Sequence, residues 1–359
     1  MATYYPDQTI IMPVCSIRRQ RLLPPGVIGE VMVRPGEHVT AFDLVAKGAR
    51  TGHYVILDMR EILGVRSLSR LDELILVGDS QVVREGDLIA GDPDRRRHQF
   101  HSPVTGMVSG LLEGRLVIRT GIEEVRVTAG FNGVVSEVVG TQGIVLHTTG
   151  ALVQGAWGNG QSHFAVLQME PKDGLSALEV NEFATEWRGA VVLTQQPLTR
   201  VTLGKAAAQG LGGVIGPSMH ADLRPVAQDL KMPIILTEGF GEDGMNALAY
   251  EVLAQYAGRQ VAVNAHLPQR WQPERPEVIV PLRNDPRTPP PSSNEALQIG
   301  AAVRITRQPY LGMVGQVIDL PKTPQVIDNG LRLLAADVRL PSGNTVTVPL
   351  ANLELFGRG

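Results

Sequence analysis

A chain of 359 residues, 43% of them apolar, is long enough for two to four domains with buried cores. Charged residues make up 19% and the net charge is −3, which excludes a general basic attraction to nucleic acid or to anionic membranes. The single cysteine, Cys15, excludes an internal disulfide and any iron–sulfur or thiolate–zinc site.

These features predict a protein of a reducing compartment, which we take to be the cytoplasm, without a cofactor or a metal site. The N-terminus lacks a basic segment followed by a long apolar one, and no window has 18 continuous apolar residues, so we expect no membrane span. Glycine (39 residues) and proline (25) are frequent and aromatics amount to 4%. That composition is typical of many short strands joined by tight turns.

The first 155 residues repeat a strand–turn unit. Residues 36–48 alternate apolar and polar side chains as half-buried strands do, and a second copy covers 82–91 (VVREGDLIAG) and 100–121 (FHSPVTGMVSGLLEGRLVIRTG). A third, looser unit follows at 125–150. Between the first two copies, DMREILGVRSLSRLDELIL (58–76) predicts one or two short helices.

The pairing of PGxxV…LVAxG with EGDLIA…SPVTGxV resembles the barrel-sandwich hybrid fold, the biotinyl/lipoyl-carrier type of barrel, over roughly the first 130 residues. Versions of this fold are built into RNA polymerase large subunits and an Rnf-type electron-transport subunit. In a carrier domain the resemblance implies a modifiable lysine at a hairpin tip. Lys47 is the only nearby lysine and stands in a strand-like AKG context, so we expect no covalent prosthetic group.

The most basic stretch is DPDRRRHQFHSP, at 92–103. Its arginines Arg95, Arg96 and Arg97 are candidate contacts to a partner or to nucleic-acid phosphates. A solvated hairpin tip explains the same run, and both interpretations stay open.

A glycine-rich bridge, GALVQGAWGNGQSHFAVLQ, covers residues 150–168. Glycines let backbone N–H groups converge on an anion, but the stretch fits neither common phosphate-binding pattern and no clear helix opens after it. Two interpretations stay open: a structural turn, or a ligand loop built from Trp157, Gly158 and Gly160. An aromatic side chain between glycines either packs against the next domain or stacks on a ligand.

Residues 156–283 predict a small α/β module. Runs that are apolar at nearly every position (189–193, 212–216, 233–237, 259–264) alternate with segments of helical period (201–210, 220–230, 244–258). Strands buried on both faces have such runs, so the pattern predicts a parallel sheet. After it, residues 273–283 predict an extended strand that pairs back onto the N-terminal region.

Ligands of open parallel sheets bind at the carboxyl ends of the strands. Those ends carry Ser218, His220, Glu238, Gly239 and Gly241, which we take as the candidate ligand-binding residues. Loops that enter helices also present free N–H groups at the positive end of the helix dipole, which suits an anion.

Three uses of these residues stay open. His220 and Glu238 can form an acid–base pair with Ser218 as nucleophile, although Ser218 lacks the G-x-S-x-G turn that would activate it. A non-catalytic ligand or protein contact is the second use. Helix capping is the third, by Ser218 and by Glu242 or Asp243. We assign no catalytic residue.

Residues 284–296 (NDPRTPPPSSNEA) predict a semi-extended linker. Beyond it, two strand pairs with turn glycines occupy residues 297–359. The first resembles the KOW motif of SH3-like barrels in ribosomal proteins and bacterial transcription elongation factors, and the resemblance implies a barrel that binds RNA or other proteins. The matching residues are Val303, Ile305, Pro309, Gly312, Gly315 and Val317.

The basic character of this C-terminal region is modest. Six Arg and Lys residues oppose four acids between residues 300 and 359, a net of +2, whereas a dedicated RNA binder has a denser basic face. Arg307 and Tyr310 form the candidate pair for stacking on a base or a peptide.

We therefore interpret the chain as a β-rich multidomain binding or scaffold protein that mediates protein–protein contacts in a cytoplasmic assembly. Its predicted parts are a barrel-sandwich-like domain (1–155), a small α/β module (156–283), the linker, and a KOW/SH3-like barrel (297–359). One alternative is an RNA-, ribosome- or transcription-associated factor that acts through the C-terminal barrel. The other is an enzyme that binds a small anionic substrate at the α/β strand ends.

Overall fold

A computed structural model describes residues 4–50, 52–65, 67–92, 99–121, 123–175, 187–267, 274–282, 288–290, 295–327 and 329–357. Strands account for 46% of the structure and helices for 13%. The prediction of a β-rich protein with several sheets and a few helices is therefore confirmed. Among the residues just given, no helix is both long and apolar enough to cross a membrane.

The N-terminal region forms thirteen of the described strands and two helices. The helices, α1 (Met59–Leu63) and α2 (Leu68–Leu74), confirm the prediction for residues 58–76. The strands are β1 (Asp7–Leu22), β2 (Ile28–Val31), β3 (His38–Val39), β4 (Leu44–Arg50), β5 (Tyr54–Asp58), β6 (Val82–Val83), β7 (Leu88–Ala90), β8 (Phe100–His101), β9 (Gly106–Leu112), β10 (Arg115–Thr120), β11 (Glu123–Thr128), β12 (Gly133–Val139) and β13 (Gly143–Gln154).

Three groups of strands organise this region. A four-stranded antiparallel sheet has the order β5-β10-β9-β6, and a three-stranded sheet has the order β11-β4-β2. The long strands β1 and β13 pair with each other and belong to a larger sheet. Helices α1 and α2 cover the inner face of the four-stranded sheet, where Met59 and Leu71 are fully buried with Leu116 and Ile118. Lys47 lies within β4 and forms an ion pair with Glu30 of β2 at 2.9 Å.

The α/β region contributes seven strands and three helices. The helices are α3 (Arg200–Ala208), α4 (Arg224–Asp229), which follows a 3₁₀ turn (Ala221–Leu223), and α5 (Ala247–Ala254). The strands are β14 (Trp157–Gly158), β15 (Ser162–Met169), β16 (Val191–Leu193), β17 (Gly213–Met219), β18 (Ile234–Phe240), β19 (Gln260–Asn264) and β20 (Glu277–Pro281).

Strands β15 to β18 are parallel neighbours, as the sequence predicts for the runs at 189–193, 212–216 and 233–237. Successive residues of these strands point to opposite faces. Val191 and Leu193 enter one core with α5, whereas Val192 enters a second core with α3 and α4. Burial on both faces is the reason why nearly every position of these strands is apolar.

The prediction of a parallel strand at 259–264 is wrong. Strand β19 covers that run but pairs antiparallel with β15 and with β20. A crossover helix must run back along the sheet to make the next strand parallel. Helix α5 has eight residues, so it is about 12 Å long at 1.5 Å per residue, and it packs against β1 and β13. It does not bring the chain back along the sheet. Strand β19 therefore starts at the same edge of the sheet at which β18 ends.

One sheet joins the N-terminal and α/β regions. Its order runs β14-β18-β17-β16-β15-β19-β20-β13-β1. Strand β13 pairs with β1 on one side and with β20 on the other, which confirms that the extended strand near 273–283 returns to the N-terminal region. Through this pairing the sheet continues across residue 155, the predicted boundary between the two parts.

The C-terminal region adds five of its seven described strands to the same sheet, because its last strand, β27 (Leu353–Gly357), pairs in parallel with residues 7–10 of β1. Its core buries Val303, Ile305 and Val338, and Tyr4 packs against it. Of the predicted linker, residues 288–290 and 295–296 are described, and the Pro289 carbonyl accepts a hydrogen bond from the Ser16 N–H at 3.1 Å. The strands are β21 (Ala302–Ile305), β22 (Val314–Asp319), β23 (Gln325–Val326), β24 (Arg332–Leu333), β25 (Ala335–Arg339), β26 (Thr345–Pro349) and β27 (Leu353–Gly357).

Candidate functional site

The strand ends bring most of the predicted ligand residues to one edge. Ser218 and Gly239 are register partners across β17 and β18, and Met219 is paired with Phe240. Gly239 and Gly241 have φ values of 95° and 153°, in the region that favours glycine. The parallel pairing of β17 with β18 thus places the two loops side by side.

Ser218 is buried and does not face solvent. Its Oγ donates a hydrogen bond to the carbonyl of Asp243 at 2.7 Å, which ties the end of β17 to the loop before α5. The predicted capping roles of Ser218 and of Glu242 or Asp243 are wrong. The cap of α5 is Asn246, whose Oδ1 accepts from the N–H of Leu248 at 2.9 Å.

His220 and Glu238 have different partners. The His220 ring is exposed and its Nδ1 lies 2.7 Å from Oδ1 of Asp222, two residues further along the same turn. Glu238 is instead buried, and one carboxylate oxygen lies 2.5 Å from Nη1 of Arg304. Its other oxygen accepts from the N–H of Asn246 at 3.2 Å. Glu238 therefore forms an ion pair that connects the α/β region with the C-terminal region.

Arg304 is the centre of a buried charged cluster. It contacts Glu354 through Nη2 at 2.6 Å and through Nε at 3.1 Å, besides its bond to Glu238. The second oxygen of Glu354 lies 2.9 Å from Nη1 of Arg275 and also accepts a hydrogen bond from the Thr9 hydroxyl. We call these five residues, from five distant segments of the chain, the ionic junction: Thr9, Glu238, Arg275, Arg304 and Glu354.

The ionic junction is charge-balanced, with two arginines and two glutamates. Burial disfavours the charged forms of Glu354 and Arg304, but the opposite charges around these two groups outweigh it. Desolvation opposes ionisation of Glu354, yet Arg304, Arg275 and the Thr9 hydroxyl together hold its pKa below the ordinary value. Desolvation likewise works against the charge of Arg304, and Glu354 and Glu238 raise its pKa. Glu354 and Arg304 therefore stay charged near neutral pH.

Sequence reasoning selected one member of this cluster, Glu238, and missed the others. Thr9 and Glu354 are 345 residues apart, and Arg304 follows Glu238 by 66 residues. The sequence gives only a weak indication of the other members. Arg304 is a charged residue within the apolar strand AVRI, and Glu354 is one within LELF. A charged residue at an inward-facing strand position indicates a buried partner.

The glycine-rich bridge forms an edge strand. Trp157 and Gly158 make up β14, which pairs antiparallel with β18. The indole is 4% exposed and its ring centroid lies 5.5 Å from that of Phe240, so Trp157 packs inside the protein. A Cβ at Gly158 would lie 2.5 Å from the carbonyl of Ala265, and Gly160 has a φ of 89°. Close packing and a turn account for these two glycines.

The remaining candidates lie apart from the strand ends. Arg307 is exposed, whereas Tyr310 is half-buried and packs against the C-terminal core. The three arginines Arg95, Arg96 and Arg97 lie outside the described residues.

A pocket of about 520 Å³ lies at the amino ends of the parallel strands, the edge opposite to the predicted one. Gly212 and Pro233, which precede β17 and β18, line it together with Ser162, His163 and Lys231. Its side chains can donate and accept hydrogen bonds, but Asp229 on the wall offsets the charge of Lys231.

A hairpin of the C-terminal region exposes several aliphatic side chains. We call residues 320–334, which contain β23 and β24, the apolar hairpin. Strands β23 and β24 pair with each other in a separate two-stranded sheet. Four of its side chains are 40–59% exposed: Val326, Leu331, Leu333 and Leu334.

Within the described ranges, no group of three or more His, Cys, Asp or Glu side chains is arranged to hold a metal ion. Protein-family models and curated proteins were compared with the chain, and none of them matches it.

Proposed function

We propose that this chain is a non-catalytic scaffold protein that holds protein partners in a cytoplasmic assembly, and that the apolar hairpin is one of its contact surfaces. In this proposal the N-terminal strands form a barrel-sandwich-like domain and the C-terminal strands a KOW/SH3-like barrel. The exposure of the four aliphatic side chains on the hairpin is the observation that carries the proposal.

A two-stranded hairpin is marginally stable in water without further packing. In β23 and β24 two residues of each strand are paired, and the aliphatic side chains that would support the hairpin face solvent. Contiguous exposed apolar side chains mark surfaces that contact other proteins. A partner that covers Leu331, Leu333 and Leu334 would both stabilise the hairpin and bury apolar area.

The composition of the hairpin favours protein over RNA. Proteins bind single-stranded RNA with basic grooves and with aromatic side chains on which bases stack. The hairpin sequence, LPKTPQVIDNGLRLL, has no aromatic residue and two basic ones, Lys322 and Arg332. Tyr310, the nearest aromatic candidate, packs against the core instead.

The contacts at the strand ends favour binding over catalysis. Ser218 and Glu238, the proposed nucleophile and acid–base partner, are buried in internal contacts to Asp243 and Arg304. His220 contacts Asp222 of its own turn instead of Ser218 or Glu238.

The test compares partner recovery by the wild-type chain and by the double variant Val326→Ser/Leu333→Ser. The control is Val201→Ser, which removes an exposed aliphatic side chain from α3. We expect quantitative mass spectrometry of affinity-purified lysate to show specific proteins at least tenfold depleted by the double variant and unchanged by the control. Recovery of the same proteins by all three chains would contradict the proposal. RNA binding with steep salt dependence, reduced by Lys322→Ala/Arg332→Ala, would favour the RNA alternative.

A further inference from the structure

The outer face of the four-stranded sheet β5-β10-β9-β6 carries apolar side chains where a solvated sheet face is usually polar. The register aligns Tyr54, Arg119, Met107 and Val82 in one row across the four strands. A second row aligns Ile56 with Val117 and Gly110. A third row consists of Asp58, Arg115 and Leu112. We call these ten positions the outer face.

Four apolar side chains of the outer face are open to solvent, and Met107 and Val117 are half-buried. Tyr54 is 60% exposed, Ile56 62%, Val82 69% and Leu112 68%. The alternate residues of the same strands point inward and are buried, among them Leu116 and Ile118. The inner side of the sheet therefore forms the core with α1 and α2, and the side chains of its outer side do not contribute to that core.

Two arginines lie within this apolar surface, and they differ in their contacts to carboxylates. Arg115 has a carboxylate at 3.7 Å, that of Asp58. Arg119 stands between Tyr54 and Met107 and forms no ion pair with any residue in the ranges that the structure describes. A partner that covers the row must bring a carboxylate to Arg119, because burial of an unpaired charge is costly.

The size of the outer face argues against a second copy of the chain. Four strands about 4.8 Å apart span about 14 Å, and five residues of β5 extend about 13 Å between their outer Cα atoms. That is about 200 Å² of sheet, whereas a stable protein–protein interface buries about 800 Å² on each partner. The same span equals about nine helical residues at 1.5 Å each, and a helix with its side chains is about 10–12 Å wide.

A partner that binds the flat side of a sheet is also better satisfied as a helix than as an extended segment. A strand laid on this side would leave its backbone N–H and C=O groups unpaired, because the sheet offers hydrogen bonds at its edges. A helix satisfies its own backbone groups and presents apolar side chains at positions i, i+3, i+4 and i+7.

From these observations we infer that the outer face is a docking site for an amphipathic helix of another protein, which places a Glu or Asp against Arg119. The helix packs its apolar stripe on Tyr54, Ile56, Met107 and Val82. This surface is distinct from the apolar hairpin, so the inference stands or falls separately from the proposed function.

The experiment selects helical peptides against the full-length chain. A phage-displayed library of 16-residue peptides, patterned for an amphipathic helix and randomised at its surface positions, is enriched on the wild-type chain. A parallel selection uses Arg119→Glu, with Arg119→Gln as the neutral substitution. Binding of the recovered peptides is measured by fluorescence anisotropy on wild type, on Ile56→Ser, and on Val326→Ser/Leu333→Ser as the control for an unrelated apolar surface.

We expect the wild-type selection to enrich an acidic residue beside the apolar stripe and the Arg119→Glu selection to enrich Lys or Arg there. Ile56→Ser should weaken binding at least tenfold and the hairpin double variant should leave it unchanged. The inference is overturned if no peptide is enriched, or if the enriched peptides are indifferent to Ile56→Ser and to the charge at position 119. A dimer in sedimentation equilibrium that Ile56→Ser dissociates would assign the face to a second copy. Co-sedimentation with anionic phospholipid vesicles that Ile56→Ser abolishes would assign it to a membrane surface.

Discussion

Arg304 shows how a single residue connects distant parts of this protein. Arginine is rarely buried unless its charge is paired, and here Glu238 and Glu354 both pair with it. Removing one member of a buried ion pair is more damaging than removing an exposed charge, because the partner stays buried without compensation. A substitution that removes one charge of the ionic junction is therefore expected to be strongly destabilising.

We predict that Arg304→Met lowers the free energy of unfolding by about 3–5 kcal/mol, since it removes the cation that pairs with Glu238 and leaves Glu354 with Arg275. The matched control is Arg307→Met, three residues along the chain and exposed, with an expected change within about 0.5 kcal/mol. Urea denaturation followed by circular dichroism measures both. Equal stability of the two variants would show that the junction is not a buried ionic cluster.

Glu354 makes the junction sensitive to acid. Its pKa in the folded chain lies below the ordinary value, so the unfolded chain takes up the proton first as the pH falls. The stabilisation is present above the ordinary glutamate pKa of about 4.3 and is lost as the pH drops through the lower folded value. We predict that Glu354→Gln flattens the dependence of the unfolding free energy on pH below about 4.3. Urea titrations from neutral pH down to about pH 3 measure this dependence, and parallel curves for the two chains would refute the assignment.

At the scale of elements, glycines decide where strands approach each other closely. Gly150 lies in β13 between β1 and β20, and a Cβ at this position would lie 2.0 Å from the carbonyl oxygen of Val280. Gly204 lies in α3 and has no heavy atom within 4 Å of the equivalent position. The same substitution should therefore have opposite effects at the two sites.

We predict that Gly150→Ala destabilises the protein by about 1–3 kcal/mol, because the sheet must open locally to admit the methyl group. Gly204→Ala should stabilise it by up to about 1 kcal/mol through helix propensity. Thermal and urea denaturation of both variants provide the comparison. If Gly150→Ala proved neutral, the close pairing of β13 with β20 would be in error.

At the scale of the whole molecule, a single sheet passes through all three regions. Strand β1 pairs with β13 along most of its length and with β27 at its start, so the first residues of the chain support the last ones. Glu238 of the α/β region and Arg304 of the C-terminal region add a buried contact beside this pairing. The C-terminal region is thus joined to the rest of the chain by strand pairing and by a buried ion pair.

We predict that a truncated chain of residues 1–296 has a thermal midpoint several degrees below that of the full chain. The truncation exposes the start of β1 and removes Arg304 and Glu354, which form buried ion pairs with Glu238 and Arg275. The full chain should unfold in one transition. Differential scanning calorimetry measures both quantities. An unchanged midpoint after truncation would indicate that the C-terminal region folds and unfolds on its own.

The amino-acid sequence by itself determined the β-rich class, helices α1, α2, α3 and α5, and strands β16 to β18. Their apolar patterns are local and reflect whether each strand or helix is buried on one face or on two. These local patterns also show where the strands end, and those ends bring Ser218, His220 and Gly239 to one edge of the sheet.

Only the tertiary structure decided the direction of β19, the role of Glu238 and the outer face of β5-β10-β9-β6. The direction of β19 depends on where α5 packs, and the role of Glu238 depends on Arg304, which lies 66 residues away. The outer face follows from the register of four strands between residues 54 and 120. Hydrophobic periodicity shows how each segment is buried, but it does not show which distant segment covers it. The positions of the buried charges and of the exposed apolar surfaces depend on these long-range contacts.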